Sequence, residues 1–499
     1  MAIDAARIPV IVGVGQVNDR PADPFAGLDS LGLMLEAARA ADADAGGGWL
    51  KRLDSIAVVD QISFPELGDV SLALAAGLEA SPRLCTKTKY PSGASPILLL
   101  NEAANRIAAG EIESALIVGG EALRTAAQRK TAQGGGTSSD HEATRRVSTR
   151  AEPDYRQRYG LVAPVDVYPL YENAMRAALG QSLAQAQHES AEIWSRMSEV
   201  AAGNEAAWIR KAYTTDEIAT PSPENRPIAF PYTKLVVANS SVNQGAAFIV
   251  TSLAAARRQG VPEERLVYVG YGAAADEAGN ILHRDRYDAS ASMDVSLRRA
   301  LALSGLESAD LDCVELYSCF PCVPKLARRV IGWPAEKPIT VFGGLTFGGG
   351  PIGNYMSHAV ASMTGRLRDG AAHGLLFANG GYATQNHTIV LSRDARLAVR
   401  EARAFNFQAE ADAARLPVPP IDETYVGPAR IETYTVFYNR DGQPRSGVVV
   451  ARTPNGARFL AQVKGDDADT VALLTSGDTE AVGAEGSAVR EADLTIWRS

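Results

Sequence analysis

The sequence predicts an α/β protein of two related halves, followed by a small all-β module. Three observations predict it. A run of helix, single Gly, strand and Gly-Gly occurs twice, near residues 95–120 and again near 357–381. Strands and helices alternate within each half, which calls for sheets covered by helices, mostly parallel. The segment after residue 420 has short β-rich runs joined by hairpin-type turns.

In the first copy of the repeat, Pro96 suits a first helical turn, where a missing N–H costs nothing, and Ser95 suits the cap before it. Ile97, Leu100, Ala104 and Ile107 share one face, and Gly110 ends the helix. Residues 115–118 are an apolar strand closed by Gly119-Gly120. In the second copy, residues 357–368 are helical, Gly370 ends the helix, and residues 374–378 run into Gly380-Gly381. Such a repeat places one buried helix of each half between two sheets. Ahead of it, residues 8–15 and 55–59 read as buried strands and 31–41 as a helix.

These signals divide the chain into a first half at 1–123 that resumes at 226–260, an insertion at 124–225, a second half at 261–415 and a β-rich domain at 421–499. The insertion breaks the α/β rhythm with Gly134-Gly135-Gly136, an arginine cluster and a helix near 183–204. Residues 416–420 (LPVPP) form a linker. In the tail, residues 430–439, 447–452, 458–464, 471–474 and 492–497 read as strands of a barrel or sandwich, with an OB-like barrel as one form.

At 499 residues, 46% of them apolar, the chain can bury a large core. It has no apolar run of the roughly 18 residues that a membrane span needs. Its N-terminal stretch lacks the order of a signal peptide, so a cytoplasmic location is expected. The net charge of −9, with eight basic against ten acidic residues from 430 to 498, argues against nucleic acid as a partner. Within this acidic chain residues 124–158 carry eight basic residues against four acidic ones. The plain reading is a solvated loop. The functional one is a clamp for a phosphorylated ligand, with Arg145 and Arg146 at its centre. Four cysteines make no disulfide framework. The CxxC of Cys319 and Cys322 lacks further ligands for zinc, so no metal is expected.

Taken together, the 92–123 stretch, ANSSVNQGAAFIV (238–250), ELYSCF (315–320), GGGPIGNY (348–355) and ANGG (378–381) resemble the thiolase superfamily over residues 5–400. They are most similar to the sterol-carrier-protein type. The tail resembles that of bacterial thiolase-like proteins with an additional C-terminal domain. The resemblance implies an αβαβα layered fold with an inserted loop domain. It implies a coenzyme A thioester as substrate or ligand, no tightly bound cofactor, and either a monomer or a homodimer.

It also implies a nucleophilic Cys at the N-terminus of the central helix, a His in a Gly-His-Pro loop and a second Cys before a loop Gly. A helix N-terminus lowers a thiol pKa and stabilises an oxyanion. At those positions this sequence has Gly93, Gly350 and Ala378, with Gly380 as the loop glycine. Cysteine-based thiolysis or condensation is therefore not expected. What the resemblance leaves is binding, through Gly93 and Ser95 at the helix start, Ser240 and Asn243 in the Asn-rich turn, and Gly350, Asn379 and Gly380 in the two glycine loops. Candidate proton-transfer groups are Tyr317, Cys319, Tyr355 and His358, the last two sharing a helix face at i,i+3. Each can equally be a packing residue. Three readings stand open: an acyltransferase of acetyl-CoA acetyltransferase class with atypical residues, a retro-aldolase on a 3-hydroxyacyl-CoA that uses loop tyrosines, and a non-catalytic acyl-CoA-binding protein.

Overall fold

The computed structural model describes residues 4–134, 154–399 and 404–499. Its strands, in chain order, are β1 (Pro9–Asn18), β2 (Ser55–Val59), β3 (Leu84–Lys87), β4 (Ser114–Glu121), β5 (Pro227–Ala229), β6 (Tyr232–Thr233), β7 (Gln244–Ser252), β8 (Val267–Asp276), β9 (Cys313–Leu316), β10 (His373–Gly380), β11 (Gln385–Ser392), β12 (Gly427–Tyr438), β13 (Pro444–Arg452), β14 (Arg458–Lys464), β15 (Glu485–Glu491) and β16 (Leu494–Arg498). The helices that matter below are α1 (Ser30–Asp44), α2 (Ser95–Ala109), α3 (Pro164–Ala178), α4 (Leu183–Ala202), α5 (Ala291–Ser304) and α6 (Tyr355–Arg368).

The nine strands of the main sheet run β3-β2-β4-β7-β1-β8-β11-β10-β9. The order is a repeat about its centre. β2, β4, β7 and β1 of the first half correspond to β9, β10, β11 and β8 of the second. Within the sheet the halves meet at β1 and β8, where Val10 pairs with Tyr268 and Ile11 with Val267. The expected parallel sheets are in fact mixed. β2 is parallel to β3 and β4, and β9 to β10, while β4–β7, β7–β1, β8–β11 and β11–β10 are antiparallel. β11 returns beside β10 through a short turn instead of a helical crossover, whereas β7 reaches its antiparallel place beside β4 only after the long insertion.

The repeat places its two helices as expected. α2 and α6 contact each other and strands of both halves, and one apolar core that includes Ile97, Leu100, Ala104, Ile107, Met356, Val360 and Met363 runs through them. Gly110 closes α2 in the left-handed conformation that glycine adopts without strain. Ala94, not Ser95, takes the cap position. Ser95 is the first helical residue, and its Oγ accepts from Ser92 N at 3.1 Å.

Among its described residues the insertion is helical. In the tail, β12, β13, β14, β16 and β15 close on themselves through the β12–β13 pairing, giving a five-stranded, OB-like barrel. Residues 471–474 lie in the helix Ala468–Thr475, not in a strand, because the Asp467 side chain accepts from Thr470 N and caps it. The hairpin β5–β6 adds to the barrel edge at Ala229–Phe437. Polar bonds tie the barrel to α3: Thr433 Oγ1 donates to Leu170 O (2.6 Å) and Asn173 Nδ2 to Tyr434 O (2.9 Å).

Candidate active site

Three loops meet at the N-terminus of α2. Ala238 N donates to Cys319 O (3.1 Å), Asn239 N to Leu345 O (3.0 Å) and Gly350 N to Asn239 O (2.8 Å). These bonds stitch the Asn-rich turn, the Tyr-Ser-Cys-Phe loop and the glycine loop after residue 343 into one floor. The cavity above it has a volume of about 280 Å³. It collects Gly93, Ser240, Tyr317, Cys319, Gly350, Asn379 and Gly380, all named from the sequence. No Asp, Glu, Lys, Arg or His lines it among the described residues.

Tyr317 follows β9 directly, and the parallel pairing of β9 with β10 sets it beside β10, with Tyr317 N donating to Phe377 O (3.1 Å). The ring then reaches the start of α2. A Cβ built on Gly93 would lie 2.2 Å from Asn379 O and 2.3 Å from the Tyr317 hydroxyl. The position that the resemblance assigns to a nucleophile therefore has no room for any side chain. A Cβ on Gly380 would lie 2.0 Å from Ser92 Oγ. Neither the Tyr317 hydroxyl nor the Gly93 amide has a partner among the described residues. Both residues line the cavity beside the N-terminus of α2, where free N–H groups favour negative charge.

Burial raises the pKa values of the groups here. The Tyr317 phenol is pushed far up, by burial first and by Cys319 second, and the Cys319 thiol is pushed to about 12 by burial. Both are protonated at neutral pH. Cys319 is thus a poor nucleophile, and Tyr317 is a hydrogen-bond donor.

The other candidates lie behind the cavity wall. The Tyr355 hydroxyl donates to Glu315 Oε1 (2.7 Å), and its ring meets that of Tyr317 edge-on at 5.8 Å. His358 pairs through Nδ1 with Gln16 Oε1 (2.8 Å) and stacks on Phe342. Burial holds its pKa down to about 3, so it is neutral. Asn243 shapes its turn, accepting from Thr125 N and donating to Asp19 O. Arg145 and Arg146 lie outside the described residues. Tyr168 on α3 escaped the sequence reading. Its hydroxyl contacts Asn379 Oδ1 and Gly381 O (both 3.1 Å) and accepts from Ala383 N (2.9 Å), and its ring stacks on Phe320 at 4.5 Å. A helical apolar pattern opened by Pro164 was the signal available for it.

Two predictions arise from this geometry. Gly93→Cys should not create thiolase activity and should lower stability by about 1–3 kcal/mol through overpacking. Recovery of acetyl-CoA thiolysis in that variant would contradict the reading. The second concerns Glu315, which accepts from Tyr355, Thr340 Oγ1 and Val341 N and which burial raises to about 7. Between its ordinary 4.5 and about 7, the folded chain keeps a proton that the unfolded chain has released. That contribution is full below 4.5 and is lost as pH rises to about 7, on the order of 3 kcal/mol. Thermal melting of Glu315→Gln should lack this decline; an unchanged slope would refute the assignment.

Residues 408–493 match the family model of the thiolase-like protein type 1 additional C-terminal domain. The whole chain is similar to the crystal structure of a monomeric SCP2-thiolase like protein type 1 from Mycobacterium smegmatis, at 32% identity over 99% of each chain with a TM-score of 0.82. Two further structures share the fold at lower identity. The Ltp2-ChsH2(DUF35) aldolase matches at 18% identity over 78% of this chain and 98% of its own, with a TM-score of 0.58. Human mitochondrial 3-ketoacyl-CoA thiolase in complex with CoA matches at 16% over 78% and 98%, with a TM-score of 0.57. Among curated proteins, no sequence matches the chain.

Proposed function

This chain belongs to the SCP2-thiolase-like protein type 1 family, and from that premise we propose that it binds a coenzyme A thioester between its two halves and acts on it by proton transfer, without a covalent acyl-enzyme. The observation that carries this reading is the Tyr317 hydroxyl, which stands in the space a nucleophile on Gly93 would need. The free Gly93 amide and the start of α2 suit the carbonyl oxygen of a thioester, where negative charge develops during enolate formation.

The reaction this arrangement suits is retro-aldol cleavage of a 3-hydroxyacyl-CoA. The hydroxyl proton leaves, the bond between C2 and C3 breaks, and its electron pair forms the thioester enolate. A proton then returns to C2, giving a carbonyl compound and the shortened thioester. Tyr317, a neutral phenol, passes both protons: its own proton goes to C2 and its oxygen takes the one from the substrate hydroxyl, so it ends neutral and no separate base, external oxidant or acyl acceptor is consumed. The relation to an aldolase structure of the same fold agrees with this choice. Arg145 and Arg146 serve as the phosphate clamp, so binding weakens with added salt.

The test is incubation with a panel of 3-hydroxyacyl-CoAs, followed by mass detection of both products, beside a labelled acyl-CoA trapping experiment. Cleavage without trapped label supports the reading. A labelled protein would replace it with covalent acyl transfer. Calorimetric binding with no cleavage across the panel would leave a non-catalytic binder.

A further inference from the structure

The cavity has a boundary that the retained thiolase core does not supply. α3 comes from the insertion, and it presents Val165 and Tyr168 to the cavity. Tyr168 is almost wholly buried and is held on every side. Phe320 stacks on one face, Tyr171 meets its edge at 5.6 Å, and its hydroxyl is fixed to the loop that carries Asn379 and Gly381. The opposite side of α3 is fastened to the barrel by the Thr433 and Asn173 bonds. A wall with this much support does not swing aside as an exposed aromatic side chain would.

The cavity beside that wall is small, and none of its described lining residues is charged. Its volume of about 280 Å³ falls just below the roughly 300–1,000 Å³ of typical small-molecule pockets. Among the described residues, a carboxylate on the acyl chain would meet no cation in this space. Resting on the thioester reading above, we propose that Tyr168 is the specificity-determining wall of the site and restricts it to short, uncharged acyl groups. The barrel takes part by holding α3, and with it Tyr168, in place.

The experiment is calorimetric titration of the full chain with acetyl-, butyryl-, octanoyl-, palmitoyl- and succinyl-CoA, repeated for Tyr168→Ala and Val165→Ala. Val165→Ala removes only two methyl groups, so it tests the wall even where Tyr168→Ala fails to fold. In the wild type, butyryl-CoA should bind at least about tenfold more tightly than octanoyl-CoA, a gap of about 1.4 kcal/mol, and more tightly than succinyl-CoA. The length gap should shrink in either variant, while the succinyl penalty should remain. Wild-type affinity that holds or rises through palmitoyl-CoA overturns the proposal alone, as does a gap that both variants keep. Failure of every thioester to bind removes the thioester reading and this inference with it.

Discussion

Replacing Tyr317 with Phe is expected to lower cleavage of a 3-hydroxyacyl-CoA by about 10²–10⁴-fold, the usual contribution of a positioned proton-transfer group. Thioester affinity should change by less than about tenfold, since a single neutral hydrogen bond contributes about 0.5–1.5 kcal/mol. The split between kcat and binding is the informative part. The substitution removes one oxygen and keeps the ring, so the edge-on contact with Tyr355 and the packing against α2 persist. The raised pKa of the phenol sharpens the expectation. A neutral phenol donates a hydrogen bond to a developing enolate, and Phe cannot. Single-turnover kinetics with product detection would check it. Unchanged turnover in Tyr317→Phe would move the chemistry elsewhere in the cavity, with Cys319 the next group to test.

Lys325→Met should destabilise the fold by about 3–5 kcal/mol, the usual cost of removing one partner of a buried ion pair. Lys325 Nζ lies 2.6 Å from Glu172 Oε1 and 2.9 Å from Ala186 O, and neither charged side chain of the pair is more than 2% exposed. Glu172 also accepts from the Tyr232 hydroxyl at 3.1 Å. Without the ammonium group its carboxylate is left in an apolar setting. The double variant Lys325→Met, Glu172→Gln should recover much of the loss, because both charges are then gone. Denaturant titration of the single and double variants measures the difference; equal losses in the two would show that packing, not charge, dominates there. The pair matters for the site as well. It ties α3, which carries Tyr168, to the helix Cys322–Ile331 that follows the Tyr-Ser-Cys-Phe loop.

Much of the fold was legible in the sequence. Gly110 and Gly370 ended their helices and Gly380-Gly381 closed β10, because backbone conformation is set by local residues, whereas Gly119 and Gly120 lie within β4, which runs on to Glu121. β14 fell on its predicted residues, 458–464. The tail helix did not, since the apolar run at 471–474 is too short for periodicity to separate strand from helix, and the capping Asp467 decided it. Strand direction in the main sheet was also misjudged. Alternating elements predict parallel crossovers, but β11 turns back directly beside β10 and β7, after the insertion, runs antiparallel to β4.

The sequence by itself determined that neither cysteine nor histidine occupies Gly93, Gly350 or Ala378, and that the chain repeats one α/β unit and then changes to β structure. Those are matters of residue identity and local period. Only the tertiary structure decided which polar groups meet. It set Tyr317 against Gly93, gave Tyr355 to Glu315 and His358 to Gln16, and brought Tyr168 to Asn379 across 211 residues of chain. Contacts of that kind arise from the packing of two halves, an insertion and a barrel, and no local pattern encodes them.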